Sequence, residues 1–121
     1  MRALLIAAFA ALSLMVAGDV HAQSRQDFVL INRTGYTIEE VYVSPSRVTA
    51  WGNDVLGADT LENARQVTVR FNGSTTECSF DIKVVYDDKE TAEFRGVDLC
   101  RVSKVTLFYN RSAGTTRFTV E

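Results

Sequence analysis

The chain has 121 residues, 46% of them hydrophobic, with 13 Lys and Arg against 15 Asp and Glu, a net charge of −2. Its arginines stand singly along the sequence (Arg47, Arg65, Arg70, Arg95, Arg101, Arg117), so the order of residues presents no concentrated positive field to nucleic acid or to an anionic membrane. One histidine and two cysteines leave little for nucleophilic or metal chemistry.

The first 22 residues read as a secretory leader. Arg2 gives a short basic head, an apolar run follows from Ala3 to Ala17, and Val20-His21-Ala22 offers compact residues for a cut after Ala22. The apolar run is shorter than the ~20 residues that cross a bilayer core, which sets it apart from an anchor. Removing 22 of the 121 residues leaves 99, one domain over 23–121, and Arg2 and Asp19 leave together, so the net charge stays at −2. His21 leaves with them. The mature chain then has no imidazole, which excludes Ser-His-Asp and Cys-His catalysis and His-ligated metal sites.

The remainder alternates apolar and polar residues with the period of half-buried strands. DFVLIN (27–32) is the first, and GYTIEEVYVS (35–44) the second, with a change of phase near Glu39-Glu40 that a bulge would absorb. RQVTVRF (65–71) puts Val67, Val69 and Phe71 on one side. CSFDIKVVY (78–86) puts Phe80, Ile82, Val84 and Tyr86 on one side and Ser79, Asp81 and Lys83 on the other. Asn72-Gly73-Ser74 between these two is a hairpin signal and predicts that they pair antiparallel. TAEFRG (91–96) reads as a short charged edge strand, followed by KVTLFY (104–109) and TTRFTV (115–120). Asp98 is placed to cap a single helical turn over Leu99-Cys100-Arg101. Seven strands with no long helical pattern predict an all-β fold, a small antiparallel sandwich or barrel with one or two short helical turns. Three Asn-x-Ser/Thr triplets, at Asn32, Asn72 and Asn110, all fall in expected turns.

SPSRVTAWGNDVLGADTLE, residues 44–62, is the longest part of the domain that does not alternate, and it holds the only Trp and the only Pro. Connections of this length are often functional. Trp51, Val55 and Leu56 stand at i, i+4 and i+5 with Gly57 behind them, the spacing of a helical turn that would lay the indole over the open end of the core. The alternative is a binding surface formed by Trp51, Asn53, Asp54 and Asp59, with Tyr42 or Phe108 as aromatic neighbours. Asn53, Asp54, Asp59 and Glu62 are also hard oxygen ligands that a calcium ion would accept, although their spacing fits no EF-hand loop.

Cys78 and Cys100 are the only thiols, and in an exported chain they read as one structural disulfide. FVLINRTGYTIEEVYVSPSRVTAWGNDVLG, CSFDIKVVY and FRGVDLC resemble a family of small exported proteobacterial proteins with no established function. The most specific parts are Asn-x-Thr-Gly, Val-Ser-Pro-Ser and Trp-Gly-x-Asp-x-Leu-Gly. Some members carry the label argininosuccinate lyase, an activity of much longer and largely helical enzymes, so the resemblance implies no catalytic residue here. It implies an envelope location and a compact β domain. The sequence therefore predicts a periplasmic or secreted, non-enzymatic binding or structural module without cofactor or metal. Its partner would be an envelope protein, a peptide or a glycan; inhibition of a host hydrolase is the fold-level alternative.

Overall fold

The structure, a computed structural model, describes residues 25–71 and 75–121. The leader expected over 1–22 and the Asn72-Gly73-Ser74 turn lie outside the described residues. Seven strands follow in chain order: β1 Phe28–Asn32, β2 Ile38–Pro45, β3 Gln66–Val69, β4 Ser79–Tyr86, β5 Thr91–Asp98, β6 Lys104–Asn110 and β7 Thr115–Val120. They form a four-stranded sheet in the order β3-β1-β6-β7 and a three-stranded sheet in the order β2-β4-β5. The molecule is an all-β sandwich, not a closed barrel. β1 and β6 run parallel and every other pair of strands is antiparallel.

The alternation seen in the sequence sorts side chains between the core and the two outer faces. Phe28 and Leu30 of β1, Phe80, Ile82, Val84 and Tyr86 of β4, Phe94 and Val97 of β5, and Val105 and Leu107 of β6 are buried together between the sheets. The expected phase change in β2 is present as a register shift between Ile38 and Glu40 against β4. It keeps both Ile38 and Val41 fully buried. β5 is an edge strand, as its charges suggest, and runs on to Asp98.

Two expectations are corrected. The strands either side of Asn72-Gly73 do not pair: β3 joins β1 in the larger sheet, while β4 lies between β2 and β5 in the smaller one. The pairing partner is decided by which neighbour buries each face. Val69 covers the core opposite Phe28, and Phe71 carries the chain across the gap, its ring 5.2 Å from that of Phe80. Gln26 secures the far side of this crossing by donating to the carbonyls of Thr75 (2.9 Å) and Glu77 (3.1 Å). Second, the short helical turns are single hydrogen-bonded turns, and no helix occurs among the described residues. At residues 54–59 the bonds run Gly57 N–H to Asp54 C=O and Asp59 N–H to Leu56 C=O, and Gly57 ends the turn with φ of 62°. At 98–100 the Asp98 carboxylate accepts the Cys100 amide at 3.0 Å without a helix following.

Asn32 explains why the loop after β1 is sharply defined. Fully buried, it donates through Nδ2 to the carbonyls of Tyr36 (2.8 Å) and Leu61 (2.9 Å), and its Oδ1 accepts the amide and hydroxyl of Thr34. Gly35 follows at φ 87°, a conformation that side chains other than glycine rarely take. This triplet is a backbone device, and a buried amide with all its bonds made has no access for a glycan.

Candidate functional site: the loop from Ser44 to Glu62

β2 is the other edge strand of the smaller sheet, opposite β5, and unpaired edges invite other chains. The 44–62 loop covers that edge. Asp54 Oδ1 accepts the Val41 amide at 2.8 Å and the Leu56 amide at 3.0 Å, and the Val55 amide donates back to the Val41 carbonyl at 2.8 Å. Lower down, Ile38 and Leu61 exchange both backbone bonds, an isolated antiparallel bridge. Ser44 Oγ donates to the Ala50 carbonyl at 3.0 Å. The loop is thus held at both ends and in the middle.

The sequence-nominated residues separate into different roles. Leu56 and Leu61, 8% and 4% exposed, belong to the core and close this side of it. Trp51 is half-buried and lies outside the core cluster, so the plug expected of the indole is supplied by the two leucines. Asp54 is half-buried and tied to backbone amides, whereas Asn53, Asp59 and Glu62 are exposed. Asp59 and Glu62 border an open groove of about 530 Å3 together with Val55, Thr60, Arg65 and Gln66. Two of the three exposed large hydrophobic side chains of the described residues, Val48 and Val55, stand on this loop. Tyr42 is on the outer face of the smaller sheet under Lys83, and Phe108 on the outer face of the larger one under Arg117; neither belongs to the loop.

Two clusters were missed by sequence reasoning. Asp81, placed by alternation on the solvent side of β4, is 4% exposed. A register shift between Phe80 and Ile82 turns it toward β5. There it accepts from Ser46 Oγ (2.7 Å), Arg95 Nη1 (2.9 Å) and the Gly96 amide (3.0 Å). The only sequence signal was Gly96, a bulge glycine at φ 73° directly across the sheet. The other cluster packs Arg111, in the turn between β6 and β7, over the Tyr36 ring at 3.7 Å, with Tyr86 and Tyr109 at 5.4 and 5.9 Å. Asp88 Oδ2 lies 2.6 Å from its Nη1 and Glu90 Oε2 lies 3.0 Å from its Nε, the second an ion pair without hydrogen-bond geometry. Arg111 so fastens the β6–β7 turn to the β4–β5 turn across one end of the sandwich. Its partners come from four separate segments, and no local pattern announces that.

Cys78 and Cys100 are joined, with S–S 2.07 Å, and no free cysteine remains. With Asp98 they are the one set of potential metal ligands found close together among the described residues, but the two sulfurs are bonded to each other. No helix of the described residues is long and apolar enough to cross a membrane.

No protein-family model matches the chain, and no curated protein sequence matches it. Among solved structures it is similar to an NMR structure of a protein from Eubacterium rectale. The TM-score is 0.54 and the identity 14%, over 86% of this chain and 93% of that chain. At that identity the likeness bears on the fold alone, and the class defined is a disulfide-bonded two-sheet β sandwich.

Proposed function

We propose that the protein is exported and works as a non-enzymatic binding or structural module of the cell envelope, presenting the 44–62 loop to a partner. The observation that carries the binding surface is the placement of exposed Val48 and Val55 and half-buried Trp51 on a loop immobilised by Asp54 and Leu61. Such a loop loses little conformational entropy on docking, and apolar side chains held in water gain on burial. The disulfide supports an oxidising compartment, as does the leader-like order of residues 1–22. The resemblance to small exported proteobacterial proteins points the same way. The shallow groove suits an extended partner, such as a peptide segment of an envelope protein, better than a small molecule.

The test has two arms in cells that export the protein. Intact mass should show the chain shortened by its leader and lacking two thiol hydrogens. A photo-crosslinking residue in place of Val55 should give a discrete adduct that is missing when the probe replaces Thr76, outside the loop. A cytoplasmic chain with its leader attached, or no adduct at Val55 or Val48, would overturn the proposal.

A further inference from the structure

The ion pairs of this protein are shared unequally between its sheets. Arg47, Lys89, Arg95, Arg101 and Arg111 each meet a carboxylate, either along β2-β4-β5 or in the turns, while the larger sheet has one longer pair, Lys104 with Glu121 at 3.9 Å. Of the cations that meet none among the described residues, Lys83 lies over Tyr42 on the smaller sheet and Arg65 lines the loop groove; the other four are Arg25, Arg33, Arg70 and Arg117. All four are exposed and border the outer face of β3-β1-β6-β7. Arg25 and Arg70 line a shallow groove of about 530 Å3 at one end, beside Val29 and Thr68. Arg33 and Arg117 line another of about 520 Å3 at the other end, beside Phe108, whose ring lies 3.9 Å under the Arg117 guanidinium. Asp27 is the acidic residue of the first groove, and its Oδ1 accepts the Phe71 amide. Between the ends, Gln66, Ile31, Thr106 and Thr119 succeed one another across the four strands. Arginines dispersed in the sequence are gathered here by the fold.

We infer that this face holds an extended acidic polysaccharide, a glycan chain carrying carboxylate groups at intervals. Arg70 lies one step beyond the Phe28–Val69 pair, level with Asp27, and Arg33 is level with Arg117, so the two arginine ends stand ~20 Å apart along the strands. Both grooves are open, and one ligand reaching both ends is a polymer laid obliquely over the sheet, from Arg70 on the β3 side to Arg117 on β7. Guanidinium groups take carboxylates in paired hydrogen bonds, and threonine hydroxyls between them match sugar hydroxyls. A lipid surface fits less well. The exposed large hydrophobic residues Val48 and Val55 are in the loop, Val120 shares its side of the sheet with buried Val105, and the apolar side chains of this face, Val29, Ile31 and Phe108, are half-buried, the last under Arg117. The inference rests on the extracytoplasmic binding role proposed above and assigns it a second surface.

The test titrates the mature, disulfide-bonded protein with polygalacturonate, with neutral dextran as control. Binding is expected at about 50 mM salt and should weaken about tenfold by about 300 mM. The double variant Arg70→Gln/Arg117→Gln should lose about tenfold in affinity at the lower salt with an unchanged melting temperature. Arg47→Gln, whose side chain is paired with Glu77, should bind as the wild type does. No binding at low salt, an undiminished affinity in the double variant, or an equal loss in Arg47→Gln would each overturn the inference. So would arginine-dependent retention on phosphatidylglycerol vesicles without polygalacturonate binding, which would give the face to lipid. Each of these results leaves the mass and crosslinking arms above untouched, so failure of one reading is separable from failure of the other.

Discussion

Asp54 and Asp81 look alike in the sequence, each a carboxylate among polar and apolar neighbours, yet both bond inward. Asp54 takes two backbone amides, and Asp54→Ala is expected to cost about 1.5–3 kcal/mol because those amides lose a charged acceptor. The melting temperature should fall equally with and without calcium. A loss seen only in calcium-containing buffer would show a metal ligand instead. Asp81→Ala should cost about 3 kcal/mol, since it leaves the Gly96 amide and Ser46 hydroxyl without their acceptor inside the sheet. Chemical denaturation would measure it. Tyr86 has the opposite sign. Its fully buried hydroxyl has no hydrogen-bond partner, and the hydroxyl of nearby Thr34 donates to Asn32. Removing it in Tyr86→Phe should leave stability within ~0.5 kcal/mol or raise it. Burial also pushes the Tyr86 phenol well above the ordinary tyrosine value of 10.0, with Thr34 and Arg111 opposing the rise and Tyr109 and Tyr36 adding to it. A group whose folded value is raised stabilises the fold below its unfolded value, and that contribution is lost as pH climbs. Stability should therefore decline above pH 10.0, and Tyr86→Phe should decline less steeply.

At the scale of elements, the disulfide extends a ladder already formed. Ser79 pairs with Asp98, and the Leu99 amide donates to the Cys78 carbonyl, so the bridge ties the open ends of β4 and β5. Closing a loop of this length removes about 3 kcal/mol of chain entropy from the unfolded state. The double variant Cys78→Ser/Cys100→Ser should melt lower by roughly that stability while keeping its β circular dichroism; an unchanged melting temperature would contradict it. The strands themselves were legible because a period of two marks a half-buried strand whatever its partner. Which strands pair was not legible. The Asn-Gly signal reports a local reversal, while pairing depends on residues such as Phe28 and Val69, far apart in sequence. In the loop, Gly57 was legible as a stop through its backbone freedom, but Asp54 was not readable as an edge cover. Val41, its main partner, is 13 residues away. Arg111 was invisible for the same reason.

At the scale of the whole molecule, the two sheets depend on the chain in different ways. The smaller one is assembled from β2, β4 and β5, the last two joined by a tight turn. The larger one needs β1 seated between β3 and β6, with Val29 beside Lys104. A chain ending before Lys104 leaves β1 paired with β3 alone, and a two-stranded ribbon is marginal in water. Such a truncation should show no cooperative thermal transition; a cooperative one would contradict this account.

That parallel pairing of β1 with β6 also sets a timetable. β1 leaves the ribosome well before β6, so a nascent chain carries Phe28 and Leu30 uncovered until Lys104–Asn110 has followed. Contacts this distant slow folding and prolong exposure of sticky segments. The export proposed above, if it passes the chain through a membrane as an unfolded thread, asks for the same postponement, and a sandwich that cannot close early is well matched to it.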